Sequence, residues 1–500
     1  MSSRFVAVGS VVVLLLMSHL SPLEAQRRGQ RRNRGIPPNR LQNQQRNLNP
    51  SHERAKEQAD QSYRRGEYER TVRITTTVIL ENPRDHVALY LRASARAELG
   101  IQQRSGELLR QAIADAREAI RVDDDNNMQY YVPYLYGMTN LAAIEDRKEH
   151  AEVAIQVADQ LLAQPGAKED ERGHLLYQRA RAHSYLKDFD AAARSYDEAI
   201  RLSPTLLGGY VALAETYVAA GEHQKALDSY GRAVDAFSSN PLVYNNRGMY
   251  LQQQGESRQA VADFTQAIEI NDEYHYAYTN RGFALMSLGE PEAAESDYTA
   301  ALRIKPELSF VYNMRGVARL AQGNVRGAIE DQRQVLRLTP RDPSAHANLG
   351  FALFFAEDYL GATKSFEQAV NLDAKQRHLG PWRYCSMQLS GQEADARTLF
   401  NSVIEKEVQT RDWVDYLHLY LLGQVSEDEL LAAIRSTDEK TKSAQICEAH
   451  FFIGVGKSTA EDQTDAQQHF EKALATKATH LSAFRGAQFA LKKFTLAGAP

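Results

Sequence analysis

Small and apolar residues recur along the middle of this chain with a fixed period. Ala180, Ala214, Gly248, Gly282, Gly316 and Gly350 stand 34 residues apart at every step. Twelve residues after each comes Ala192, Ala226, Ala260, Ala294, Ala328 or Ala362, and seven further on Ala199, Ala233, Ala267, Ala301, Val335 or Ala369. Between these two positions sits a larger group: Tyr196, Tyr230, Phe264, Tyr298, Gln332 or Phe366. Within each period the apolar positions follow helical spacing. A turn pair (Gly221-Glu222, Gly255-Glu256, Gly289-Glu290, Gly323-Asn324) separates two such runs, and Pro204, Pro306 or Pro340 stops the second. The pattern predicts a helical hairpin per unit. Glycine or alanine at the closest approach of the two helices leaves room for the facing ring.

The series closely resembles the tetratricopeptide repeat, whose small, aromatic and proline slots these residues occupy. The resemblance implies an all-α fold, a right-handed superhelical solenoid of about twelve helix-turn-helix hairpins. It is regular over residues 173–376. Ala59, Gly66, Tyr68 and Pro83 fit an initial unit at 52–85, whereas units near 86–126 and 127–172 need insertions, so 51–172 reads as a degenerate leading part. Tyr384, Gly391, Ala396 and Phe400 continue the phase, 411–446 loses it, and Gly454, Ala466, Phe470 and Ala473 restore it. Residues 377–480 are thus a degenerate trailing part, followed by an expected capping helix from Leu481 to Lys493 within 481–500. One array replaces the three or four domains that 500 residues alone would suggest. The stretch from Trp413 through Ser426 and Cys447 to Thr476 also resembles the tail of envelope-associated bacterial proteins of this repeat type. That second resemblance implies a periplasmic adaptor.

The start of the chain has a different character. Arg4 precedes an apolar run from Phe5 to Met17 and small Ala25 follows it, the layout of a secretory signal cleaved near Ala25. The run is shorter than the roughly 18 residues that span a bilayer, so a retained anchor is the lesser reading. Residues 26–50 carry seven arginines, among them Arg27, Arg28, Arg31, Arg32 and Arg34, with glutamine, asparagine and no acid. Such a segment cannot bury a core and is expected to be a disordered linker. With a net charge of -5 for the whole chain, the body from 51 onward stands at -12. A basic tail on an acidic body suits an electrostatic tether to an anionic polymer or surface. Without interleaved aromatic residues it does not suggest specific nucleic-acid recognition.

Chemistry-bearing motifs are scarce. Gly456-Lys457-Ser458 imitates the end of a phosphate-binding loop, but Phe451 stands where that loop needs its first glycine. Asp123-Asp124-Asp125 lacks the alternation, glycine and distal glutamate of a calcium loop. His183, His223 and His275 fall in separate repeats, and no nucleophile elbow or paired zinc histidines occur. Cys385 and Cys447 lie two hairpins apart, which at roughly 8 to 10 Å per helix keeps them unpaired. The sequence predicts no enzyme, no cofactor and no metal site.

Stacked hairpins bind linear partners along the concave row of first helices. Two residues before each small reference position lie Gln178, Ala212, Asn246, Asn280, Met314 and Asn348, with Asn313 beside Met314. An asparagine offers a donor and an acceptor to an extended backbone. The resemblance implies a peptide-binding ladder at Asn246, Asn280 and Asn348, broken at Met314 where Asn313 stands beside it, with Gln178 in the matching slot upstream. Arg247, Arg281 and Arg315, each sixteen residues before Asp263, Asp297 and Asp331, are expected instead to form ion pairs inside their hairpins. The function expected is a non-catalytic exported scaffold, periplasmic or secreted, that binds protein or peptide ligands through this groove. The alternative is a polyanion- or cell-wall-associated protein held by its arginines, and deleting residues 26–50 separates the two.

Overall fold

The computed structural model describes residues 50–123, 127–165, 167–404, 411–460, 462–479 and 481–497. The expected signal and the arginine-rich segment, with Arg27, Arg28, Arg31, Arg32 and Arg34, lie outside the described residues, as do Asp124 and Asp125. Among the described residues the structure is helical throughout, and the chain divides into two compact units after Asn271.

The first unit holds six hairpins. They are α1 (Pro50–Arg64) with α2 (Tyr68–Glu81), α3 (His86–Gln102) with α4 (Gly106–Val122), α5 (Tyr131–Glu145) with α6 (Lys148–Leu162), α7 (Glu169–Tyr185) with α8 (Phe189–Leu202), α9 (Leu207–Ala220) with α10 (His223–Ala236), and α11 (Pro241–Gln253) with α12 (Ser257–Ile270). The second unit continues with α13 (His275–Leu288) and α14 (Pro291–Ile304), α15 (Ser309–Ala321) and α16 (Val325–Leu338), and α17 (Pro343–Phe355) and α18 (Tyr359–Leu372). After these come α19 (Gly380–Leu389) and α20 (Glu393–Ile404), α21 (Trp413–Leu421) and the short α22 (Glu427–Ala432), then α23 (Glu439–Thr459) and α24 (Gln463–Ala475). The expected cap is α25 (Ser482–Ala497). Twelve hairpins and a terminal helix are therefore present among the described residues. Gly456, Lys457 and Ser458 sit inside α23, so they form no loop at all.

The hairpin turns have a common cause. Between first and second helices, Lys187, Gly221, Gly255, Gly289, Gly323, Glu357 and Gly391 all have positive φ, between 62° and 84°. They are 34 residues apart, so the left-handed residue that ends each first helix keeps the period even where it is not glycine. Side chains then open the second helices: Asp188, Asn324 and Asp358 accept backbone N–H groups of α8, α16 and α18.

Packing inside a hairpin follows the small-against-ring rule. An ideal Cβ on Gly248 would stand 2.8 Å from the Phe264 ring, on Gly282 2.7 Å from Tyr298, and on Gly350 2.6 Å from Phe366. The alanines Ala192, Ala226, Ala260, Ala294, Ala328 and Ala362 are fully buried. The expected ion pairs form as bidentate contacts: Arg247 to Asp263 at 2.8 and 2.6 Å, Arg281 to Asp297 at 2.8 and 2.7 Å, Arg315 to Asp331 at 3.1 and 2.7 Å. Each guanidinium also lies over the tyrosine three residues earlier, Tyr244, Tyr278 or Tyr312, 5.4 to 6.0 Å from the ring centre.

The end of the second unit departs from a one-dimensional stack. In α23, Phe451 stacks on Trp382 of α19 at 4.7 Å, and in α25, Phe489 stacks on Phe355 of α17 at 4.8 Å. Glu357, just past α17, forms an ion pair with Lys493 of α25. The last hairpins therefore close on one another. This corrects the spacing argument for the cysteines: Cys385 and Cys447 share one core cluster, and α19 touches α23 directly. Both are buried free thiols, and burial pushes the Cys447 thiol up to about 11.

Candidate functional site

In the first unit the first helices α1, α3, α5, α7 and α9 lie side by side. Tetrad-like placement of tyrosines follows: Tyr63 at the end of α1, Tyr90 in α3, Tyr136 in α5 and Tyr177 in α7 line one cavity of about 280 Å³. Ser94, Glu98 one helical turn further along α3, Gln129, His174 and Gln178 supply polar groups to its lining. Glu98 is only 3% exposed. Tyr63, Tyr90 and Tyr136 are half-buried, so their faces remain reachable.

Burial raises the hydroxyl pKa of all four tyrosines, and the negative charge of Glu98 adds to the effect at Tyr63, Tyr136 and Tyr177. These rings stay neutral at any physiological pH. They offer aromatic faces and O–H donors, not bases. Arg181 of α7 places its guanidinium 4.3 Å from the centre of the Tyr136 ring and donates to Gln178 Oε1 at 3.3 Å.

The predicted ladder is placed differently from its expectation. Gln178 is 5% exposed and Asn280 8%, while Asn246, Asn313 and Asn348 are half-buried, so none of the five is an exposed slot. For Gln178 and Asn280 the neighbouring first helices cover the flank, α5 and α9 beside α7 and α15 beside α13. Asn348 and Asn313 spend their amides on each other, Nδ2 of the former donating to Oδ1 of the latter at 2.8 Å. Of the five, only Gln178 lines the cavity of the first unit.

Sequence reasoning missed Tyr63, Tyr90, Glu98 and Tyr136; the last three lie in units where insertions break the 34-residue frame, and Tyr63 precedes them in the initial unit. A signal was available in the recurrence of tyrosine on each first helix of the first unit. It also missed the ion pair of Arg92 with Asp115, at 2.8 and 2.7 Å, joined by Arg96. There the partners are 23 residues apart instead of sixteen. Among the described residues no group of three or more His, Cys, Asp or Glu side chains is placed to hold a metal ion, and no helix is long and apolar enough to cross a membrane.

Comparison with known proteins matches parts of the sequence to one repeat type. Residues 173–206 match one tetratricopeptide repeat pattern, and residues 245–309 and 313–376 match another. The photosystem I assembly protein Ycf3 of Prochlorococcus marinus is 28% identical over 101 residues, which is 18% of this chain and 58% of that protein. The chain thus spans less than two thirds of that relative. Among solved structures, MamA is 24% identical, with a TM-score of 0.29, over 32% of this chain and 93% of its own. PilF of Pseudomonas aeruginosa is 18% identical, with a TM-score of 0.36, over 41% of this chain and 94% of its own. Over residues 173–206, 245–309 and 313–376 the chain is therefore similar to tetratricopeptide repeats.

Proposed function

We propose that this protein is an exported, non-catalytic scaffold that binds peptide segments of partner proteins along its row of first helices. One observation carries the reading: five first helices of the leading unit jointly line a cavity with reachable tyrosine faces and a buried carboxylate. A site shared by several repeats suits an extended ligand better than a small one. Export to the periplasm or medium rests on the charged start and short apolar run before Ala25. The resemblance of the stretch from Trp413 to Thr476 to envelope-associated proteins supports the same compartment. The seven arginines of residues 26–50 favour a second reading, association with an anionic polymer or surface, which removal of that segment would abolish.

The test is site-specific photo-crosslinking in growing cells. A photoreactive residue at Tyr136 should form adducts with a small set of proteins, whereas one at Leu80, 79% exposed on the second helix α2, should not. Equal adducts at both positions would move the binding surface away from the first helices.

A further inference from the structure

The second unit holds an apolar cavity of about 330 Å³ where its last hairpins close on one another. Phe354, Phe355, Phe451 and Phe470 are buried in its lining, and Tyr359, Phe489 and Phe494 stand half-buried beside them. Phe354 meets Tyr359 edge-on at 5.4 Å, and Phe470 lies tilted to Phe451 and Phe494 at 6.1 and 6.3 Å, so the walls present ring edges as well as faces. Among the described residues the polar lining is the Tyr359 hydroxyl with Glu357, Ser458, Gln463 and Lys493. Glu357, Gln463 and Lys493 are exposed and mark the mouth. Glu357 is the turn residue after α17, Ser458 lies in the last turn of α23 and Gln463 opens α24, which sets the mouth at the edge where hairpins turn.

A water molecule needs about two to four polar partners, and the ring-lined interior does not supply them. Left dry, the rings forfeit dispersion contacts that an apolar guest restores. A cavity of about 150 Å³ holds one benzene ring, so roughly twice that volume matches two or three rings. Ring edges and faces favour an aromatic guest beyond what its buried area gives. The two charged residues of the lining, Lys493 and Glu357, form an ion pair with each other, so the mouth offers no uncompensated charge to an ionic head. We infer that this cavity is a binding site for an uncharged aromatic molecule of two or three rings. It is independent of the groove reading, since a peptide stretched across the middles of the first helices passes beside the turn edge.

The experiment titrates the full chain with phenylnaphthylamine, a neutral probe whose fluorescence rises in apolar surroundings. Binding should saturate at one site per chain, and the sulfonated counterpart, anilinonaphthalene sulfonate, should bind about tenfold more weakly because its charge finds no free partner. Ala490→Phe adds a ring at a half-buried wall position and should weaken the neutral probe about tenfold while retaining the helical spectrum. Should Ala490→Phe fail to fold, Phe494→Ala, which removes a half-buried wall ring, should weaken it severalfold. Unchanged affinity in the folded variant places the probe elsewhere and overturns the inference, as does the absence of saturable binding. Naphthol should displace the probe at a severalfold lower concentration than octanol, an alcohol of similar hydrophobicity. The reverse order would make the cavity a chain-binding site, and tighter binding of the sulfonate would make it an anion site; either overturns the assignment. Photo-crosslinking at Tyr136 reads the groove alone, so the two readings fail separately.

Discussion

Asn348 Nδ2 donates to Asn313 Oδ1 at 2.8 Å, and Gln332 Nε2 donates to the same oxygen at 3.0 Å. A single carbonyl of α15 thereby joins its own hairpin partner α16 to the next first helix, α17. Gln332 is fully buried and occupies the slot that holds an aromatic ring in neighbouring repeats. The three amides form a polar substitute for the ring-against-glycine contact, because Gly316 faces Gln332 at the distance where other glycines face a ring.

This junction makes the Asn313 carbonyl the shared acceptor of two amides from two helices. Asn313→Ala should destabilise the second unit by about 1–3 kcal/mol, since it strands a buried amide donor. Asn246→Ala, at a half-buried position, should stay within about 0.5 kcal/mol of the parent. Denaturant titration followed by circular dichroism checks both. Equal effects would mean that the shared oxygen contributes nothing particular.

The fit of Tyr298 against Gly282 predicts a cost for any added side chain. Gly282→Leu should overpack the α13–α14 hairpin and lower stability by about 1–3 kcal/mol. Shortening the ring in the same chain, Tyr298→Leu, should recover part of that loss, and a double-mutant cycle of melting temperatures measures the coupling. Strict additivity would contradict the contact.

Acid should weaken the second unit through His418. This side chain is 4% exposed, stacked on Phe400, and burial lowers its pKa from 6.5 to about 4, with Asp415 acting in the opposite direction. Below pH 6.5 the unfolded chain binds a proton that the folded ring refuses until about pH 4. Stability is thus intact above 6.5 and falls as pH drops through that window, by on the order of 3 kcal/mol for this group. His418→Leu should reduce the loss between pH 7 and pH 4. Fluorescence of Trp382 and Trp413, the two tryptophans of the chain, follows it during denaturant unfolding. An unchanged pH slope would remove His418 from the account.

The regular array was legible because its determinants are local. A left-handed turn residue, a small residue and a facing ring repeat at fixed offsets, and Arg281 with Asp297 could be paired by spacing alone. Lys187 and Glu357 hold the turn position without being glycine, so the conformation is kept by the hairpin and only partly by residue type. The cavity was not legible, since its tyrosines come from repeats in which turn residues Gly66, Arg104, Asp146 and Lys187 are 38 to 42 residues apart. Nor did any periodicity announce that Phe489 would meet Phe355. That contact joins elements more than a hundred residues apart and depends on how the intervening hairpins turn.

The return of α25 to α17 sets a rule for how this chain could change in length. Whole 34-residue hairpins inserted before α17 leave the closing contacts untouched. A hairpin inserted between α17 and α25 would pull Phe489 from Phe355 and Lys493 from Glu357, exposing the aromatic cluster around Trp382. Growth by duplication is therefore open upstream and blocked downstream. Trimming the last helix would likewise expose residues of α17, α23 and α24 at once, so the trailing hairpins stand or fall as a block.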